Sequence, residues 1–269
     1  MLRRLFCLIS PVLVLCMVNG ASADLVAHWA LDETSGTTAA DSSGNGHDGT
    51  LSADPAPVWT TDAERGKVLE LGPGQDQVDA GAGIGAGDNL SVLLWAKPAK
   101  VGLMRPISCM TGDYTTDPGW FLMMRNDSDW LGPANLWFRV TGEPEVDPAW
   151  DGGDLWIHGE DPIYTAGQWI HLAFTFDNST KELKGYVDGV LAGERVLDEA
   201  TRAVGNLTNP LILGQGLGEQ YEGRLDDVYI YDNVLTEAEI QDVSGIPEPA
   251  TIALLGLGGL ALLRLRKKH

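Results

Sequence analysis

Between residues 25 and 231 the chain alternates short apolar runs with polar, glycine-rich breaks, at 25–31, 68–71, 90–96, 107–110, 120–124, 136–140, 169–176, 183–187, 211–213 and 225–231. Runs this short, bounded by turn residues and with no helical period between them, predict strands. The pattern is plainest where Trp169, His171, Ala173 and Thr175 alternate with Ile170, Leu172, Phe174 and Phe176. Successive strand side chains point to opposite faces, so the fully apolar set belongs inside. His171 then lies on the other face, as a structural histidine bonded to a neighbouring carbonyl. Asp188 and Gly189, between Val187 and Val190, predict a two-residue hairpin. One helix is predicted near the end, where Thr236 and Glu239 have capping-box spacing. With 33 Gly and 14 Pro, breakers are frequent, and a β-sandwich or jelly roll is expected over any βαβ arrangement. Residues 52–62 and 141–164 read as long polar loops, either functional rims or insertions. The chain shows no internal repeat and no second domain.

The two ends are addresses rather than fold. Arg3 and Arg4 precede an apolar run at 5–18, and Ala21, Ser22 and Ala23 supply a small-residue cleavage pattern, so residues 1–23 read as a leader for signal peptidase. Leu15 stands directly before Cys16, where lipidation wants a small residue. Removing the leader removes Cys7 and Cys16, and Cys109 remains with nothing to pair within the chain, so the fold stands without disulfides. At the other end Pro247, Glu248 and Pro249 precede an uncharged run at 250–263 and a basic end, Arg264 to His269. That 14-residue run makes a helix of about 21 Å, short of the roughly 20 residues a bilayer core needs. The basic end stays cytoplasmic by the positive-inside rule, which puts everything upstream across the membrane. Taken together, residues 247–269 resemble the PEP-CTERM sorting signal of Gram-negative bacteria. That resemblance implies export across the inner membrane and processing by an exosortase near the Pro-Glu-Pro, with membrane contact only through the tail helix. A plain stop-transfer anchor is the alternative.

Residues 24–246 form one domain, large enough to need no staple. Six of the 18 Lys and Arg and one of the 38 acids lie in the two ends, leaving 12 basic against 37 acidic residues and a charge near −25. Such a surface repels nucleic acid and anionic lipid and attracts divalent cations.

Within the 41–49 loop, Asp41, Ser43 and Asn45 offer oxygen at alternate positions, Gly44 and Gly46 permit sharp turns, and the His47 carbonyl is a fourth donor. This is how a calcium loop begins, although Ser52 stands where an EF-hand has its closing Glu. Asx turns are the alternative reading of the same residues.

Three segments carry a resemblance over about residues 25–243. They are Val26-Ala27-His28-Trp29-Ala30-Leu31-Asp32-Glu33 with the Asp41 loop, Gly167-Gln168-Trp169-Ile170-His171 leading to Tyr186-Val187-Asp188-Gly189, and Tyr221-Glu222-Gly223-Arg224-Leu225-Asp226-Asp227-Val228-Tyr229. In this order they resemble laminin G-like members of the concanavalin A-like lectin/glucanase superfamily. The resemblance implies a jelly roll of two antiparallel sheets with first and last strands adjacent. It also implies a structural Ca2+ between opening loop and final strand, with Asp226 completing the site. Alternation places Asp226 with Val228 and Ile230, and a carboxylate on an apolar face needs a cation or hydrogen-bond donors.

The chain holds nine Trp. Trp29, Trp95, Trp137 and Trp169 sit in strand patterns and are assigned to the core. Trp120, Trp130, Trp150 and Trp156 lie in or beside the acidic middle and are the candidate sugar-binding rim, the alternative being loop anchors. Catalysis has little support. Glycosidases of this superfamily draw their two carboxylates from a Glu-x-Asp-x-(x)-Glu strand, which is absent; 143–147 and 194–199 have the wrong order or spacing. No serine sits in a nucleophile elbow and no His pair has zinc spacing. The expectation is an exported, non-catalytic binding or adhesion protein of the cell envelope or extracellular polysaccharide matrix, with carbohydrate or a surface protein as partner. A glycan hydrolase or lyase and a purely structural matrix component are the alternatives.

Overall fold

The computed structural model describes residues 24–74, 76–110, 118–127, 132–141, 153–197, 208–216 and 218–246. The expected leader, the sorting tail with its helix, Trp130 and Trp150 lie outside these residues. The strands are β1 (Leu25–Trp29), β2 (Thr38–Ala39), β3 (Gly49–Leu51), β4 (Val58–Asp62), β5 (Gly66–Leu71), β6 (Val78–Ala82), β7 (Asn89–Pro98), β8 (Met104–Ser108) and β9 (Gly119–Asp127). They continue as β10 (Gly132–Thr141), β11 (Asp154–Ile157), β12 (Ile170–Asp177), β13 (Glu182–Val187), β14 (Val190–Val196), β15 (Pro210–Leu213), β16 (Gln215–Gly216), β17 (Glu219–Gln220) and β18 (Gly223–Tyr231). A single helix, α1 (Glu237–Val243), follows among the described residues.

Two antiparallel sheets form the body. The first runs β14-β13-β12-β7-β18-β5-β4, with β1 also on β18, and the second runs β11-β10-β9-β8-β15-β6-β3-β2. The opening and closing strands pair, Leu25 with Tyr231 and Trp29 with Val228. Between the sheets lies one apolar cluster that includes Trp29, Leu94, Leu122, Phe138, Ile170, Leu172, Phe174, Phe176, Val228 and Ile230. The even-numbered set of β12 points inward, as its alternation predicts, and His171 lies on the opposite face. There its Nε2 meets the Ser244 hydroxyl at 2.6 Å, so the partner is a side chain of the segment after α1 and not a neighbouring carbonyl. Burial, reinforced by the nearby charge of Arg65, holds the His171 pKa down at about 3, so the ring is neutral near neutral pH.

Local signals act as expected at both turns of the C-terminal third. Asp188 and Gly189 take φ of 48° and 74°, the doubly positive pattern of a primed hairpin turn, and Val187 faces Val190 across it. Thr236 caps α1. Its Oγ accepts from Glu239 N at 3.3 Å while Glu239 Oε2 accepts from Thr236 N at 2.8 Å.

Several readings need correction. The 52–62 segment contains β4, paired with β5, and the 141–164 segment contains β11, paired with β10. Both strands close an edge of their sheet, where one flank needs no apolar partner, so their sequences look like loop. In β18 a bulge falls between Asp226, opposite Trp95, and Tyr229, opposite Leu93, with Asp227 at φ 46°. The extra residue shifts the phase. Leu225, Val228 and Ile230 face the core, and Asp226 turns to the outer face of the first sheet instead of sharing the face of Val228. Of the Trp residues assigned to the core, Trp29 is there, whereas Trp95, Trp137 and Trp169 lie outside the central cluster.

Candidate functional site

Strands β9, β10 and β11 carry aromatic side chains on the outer face of the second sheet as well as on its core face, interleaved there with Arg125, Arg139 and Asp154. Trp120, Leu122, Met124, Leu136 and Phe138 fill the core, and Phe121, Met123, Trp137 and Trp156 project from the outer face of the second sheet. There the rings of Trp137 and Trp156 stack at 4.4 Å and 14°, since Trp137 and Trp156 are direct cross-strand partners. Phe121 meets Trp137 edge-on at 4.9 Å and 86°. The Arg125 guanidinium lies 5.0 Å from the Trp156 ring centre and 5.3 Å from that of Trp137. Trp137 Nε1 donates to Asp154 Oδ1 at 2.8 Å, and Arg139 Nη1 donates to the same oxygen at 2.6 Å. Burial pushes the Asp154 carboxyl up against the opposing charge of Arg139. Further along the sheet Arg105 stacks 4.1 Å over Phe121 and pairs with Glu219 at 3.0 Å. Trp137 is buried while Trp156 and Arg125 remain partly exposed, so the stack presents the Trp156 indole outward with Arg125 at its side.

Of the predicted rim, Trp156 belongs to this face. Trp120 does not. It is fully buried in the core, edge-on to Phe174 at 5.6 Å, with Nε1 donating to Gly85 O at 3.3 Å. It cannot reach a ligand without unfolding the sandwich.

The predicted calcium ligands fall into two networks that meet at His28, whose amide serves Asp41 and whose ring reaches Asp227 beside Asp226. Asp41 Oδ1 accepts from the amides of His28 at 3.0 Å and Ser43 at 2.9 Å, and Oδ2 accepts from the Ser43 hydroxyl at 2.8 Å and the His47 amide at 3.0 Å. Asn45 Nδ2 donates to the carbonyls of Leu25 and Val26, and the His47 carbonyl accepts from Trp29 Nε1 at 2.8 Å. Burial pushes the Asp41 carboxyl up, and the four donors outweigh it, leaving a pKa of about 2. Asp226 lies on the other side of β18. Its Oδ2 accepts from Arg65 Nε at 2.5 Å, and burial pushes its carboxyl up to about 7 against the pull of Arg65. Among the described residues no hydrogen bond joins Asp226 to the Asp41 loop, and no group of three or more His, Cys, Asp or Glu is placed to hold a metal. As arranged, the Asp41 oxygens already accept from N–H and O–H groups and Asp226 already has a cation, so the set does not fit calcium.

The outer face of the first sheet carries a polar network that the sequence reading passed over. The Arg65 guanidinium lies 4.3 Å over Trp95 and 5.5 Å from Trp169 and pairs with both Asp226 and Asp227. Asp62 accepts from Trp169 Nε1, Lys97 and Arg224. His28 stacks on Tyr229 at 3.9 Å and reaches Asp227 at 3.2 Å. Its buried carboxylates each meet a cation, and the network fastens the β4–β5 turn to the sheet. The signal available in the sequence was Trp95, Trp169 and His171 sharing the non-core phase of neighbouring strands.

Residues 72–241 match the concanavalin A-like lectin/glucanases superfamily, and residues 245–268 match the PEP-CTERM protein-sorting motif. Among curated proteins no sequence matches the chain. In fold it is similar to domain 4 of a GH43 extracellular arabinanase from Geobacillus stearothermophilus, determined in complex with arabinotriose. The two share 21% identity with a TM-score of 0.61, over 82% of this chain and 98% of that one. It is also similar to the binding domain of botulinum neurotoxin serotype D (16% identity, TM-score 0.58, 82% of this chain and 51% of that one). The binding domain of Paraclostridial Mosquitocidal Protein 1 is a further match (15% identity, TM-score 0.57, 82% and 51%). This chain spans about half the length of each toxin domain.

Proposed function

The chain belongs to the concanavalin A-like lectin/glucanases superfamily, and on that premise we propose that it is an exported, non-catalytic binding protein that recognises carbohydrate on the outer face of its second sheet. The observation that carries this reading is the outward-facing Trp156, held flat by Trp137 behind it and by Arg125 beside it. Indole faces take up the C–H faces of sugars, and a ring held rigid by its neighbours loses little entropy on binding. The arabinotriose bound by the arabinanase domain shows that a module of this fold takes up a sugar chain. Against hydrolysis stands the use of the buried carboxylates. Of the four buried aspartates among the described residues, Asp62, Asp154 and Asp226 are each tied to a Lys or Arg and Asp76 accepts from the Gly72 amide, whereas a retaining glycosidase needs two carboxyls about 5 Å apart across an open cleft.

The sorting motif marks the chain for export to the cell surface or extracellular space of a Gram-negative bacterium and for processing by exosortase. Its place of work is the envelope or the surrounding polysaccharide matrix. Calorimetric titration against a panel of neutral and acidic oligosaccharides tests the assignment. Wild type is expected to bind at least one, and Trp156→Ala to lose about tenfold or more in affinity while still unfolding in one cooperative transition, a few degrees lower for the lost Trp137 stack. Equal affinity in the variant, or release of reducing sugar by the wild type, overturns it.

A further inference from the structure

We propose that, before its tail is processed, the domain is held with the end bearing the β13–β14 turn against the bilayer, and that Val190 and Leu191 there contact the lipid surface. The proposal rests on reading residues 247–269 as a membrane-embedded sorting tail.

The domain is pinned to the last residue before that tail. Ser91 Oγ donates to Asn233 O at 2.6 Å and accepts from Leu235 N at 2.9 Å, and Leu235 and Ile240 pack on Leu93, Ala173 and Tyr186 of the first sheet. Gln241 Nε2 donates to Gly189 O at 2.8 Å inside the protein, and Ser244 meets His171. Ile246 N donates to Gln241 O at 2.9 Å, and the Ile246 side chain lies over Gly189, where a Cβ would stand 3.3 Å from its Cδ1. The fold therefore holds the chain through Ile246, and it does so at the β13–β14 turn.

Three residues, Pro247, Glu248 and Pro249, separate Ile246 from the uncharged run that begins at Ala250. Fully extended, the four steps from Ile246 to Ala250 span about 14 Å. The headgroup layer of one leaflet takes up roughly 6 Å of that, so about 8 Å remains between the anchor and the membrane surface, less than the width of one helix. With so little slack, the part of the domain around Ile246 must meet the membrane. That part includes Val190 and Leu191, 51% and 38% exposed, directly beyond Gly189. The carboxylates nearby, Asp188, Glu237 and Asp242, oppose attraction to anionic lipid, so the short tether sets this orientation and neutral lipid suits it best.

The test uses residues 24–269, with the leader removed and the tail intact, in phosphatidylcholine vesicles doped with a headgroup spin-labelled lipid. A fluorophore is placed at Val190→Cys or, in a second protein, at Thr180→Cys; the remaining thiol, Cys109, is buried. Thr180 lies in the exposed turn at the far end of β13, about 20 Å away along the strand. Quenching severalfold stronger at position 190 than at 180 is expected, and a flexible insert of about twelve Gly and Ser residues after Ile246 is expected to erase the difference. Equal quenching at the two positions overturns the proposal, as does a difference that survives the insert. Failure of the intact chain to float with the vesicles overturns the membrane reading of the tail, and the proposal with it.

Discussion

Asp41 concentrates four hydrogen bonds on one carboxylate, from the His28, Ser43 and His47 amides and the Ser43 hydroxyl. It ties the first loop to β1, since Asp41 also bridges to Trp29. Because the folded pKa is about 2 and the ordinary aspartate value is 3.8, the unfolded chain binds more protons between those values. The stability contributed by Asp41 is fully present above about pH 4 and is lost as pH falls towards 2, on the order of 1–2 kcal/mol. Asp62, also held below its usual range, acts in the same direction. Asp41→Asn is therefore expected to lower urea stability at pH 7 and to flatten its fall between pH 4 and 2. Since the donors are protein groups, excess chelator is expected to leave the wild-type melting temperature unchanged. A melting temperature lowered by chelation and restored by Ca2+ contradicts this account of the loop.

At the scale of elements, α1 is too short to hold itself together and depends on its cap and its docking. Thr236→Ala is expected to cost about 1 kcal/mol in equilibrium unfolding while leaving the sheets intact, and a cost near zero would mean that docking alone holds the helix. This cap was plain in the sequence, as were the Asp188–Gly189 turn and the alternation of β12, because each is written in neighbouring residues. Edge strands were not legible. Val58–Asp62 and Asp154–Ile157 have one partner strand each and mix polar residues into short runs. The Asp227 bulge was equally hidden, since its cue is a single positive φ at a non-glycine, and missing it put Asp226 on the wrong face. The candidate face was half legible. Trp156 was picked out, but Trp120 was assigned to the same rim although strand phase sends it inward. Its partners Trp137 and Arg125 come from different strands, and only sheet register brings them together.

At the scale of the whole molecule, the two sheets divide the work. The first carries the Arg65 and Asp62 networks and, through α1, holds the chain to the edge of the sorting motif. The second turns an aromatic and guanidinium surface outward on a protein whose formal charge is −20. Such a charge keeps the molecules apart and disfavours nucleic acid, and the sugar contact we propose rests on stacking rather than on net attraction. The measurement that bears most directly on this account is a crystal structure of the domain with the oligosaccharide it binds most tightly. Sugar density across Trp156 and Arg125 is the result predicted. Density seated instead on Trp169 and Arg65 of the first sheet, or at the Asp41 loop, contradicts it.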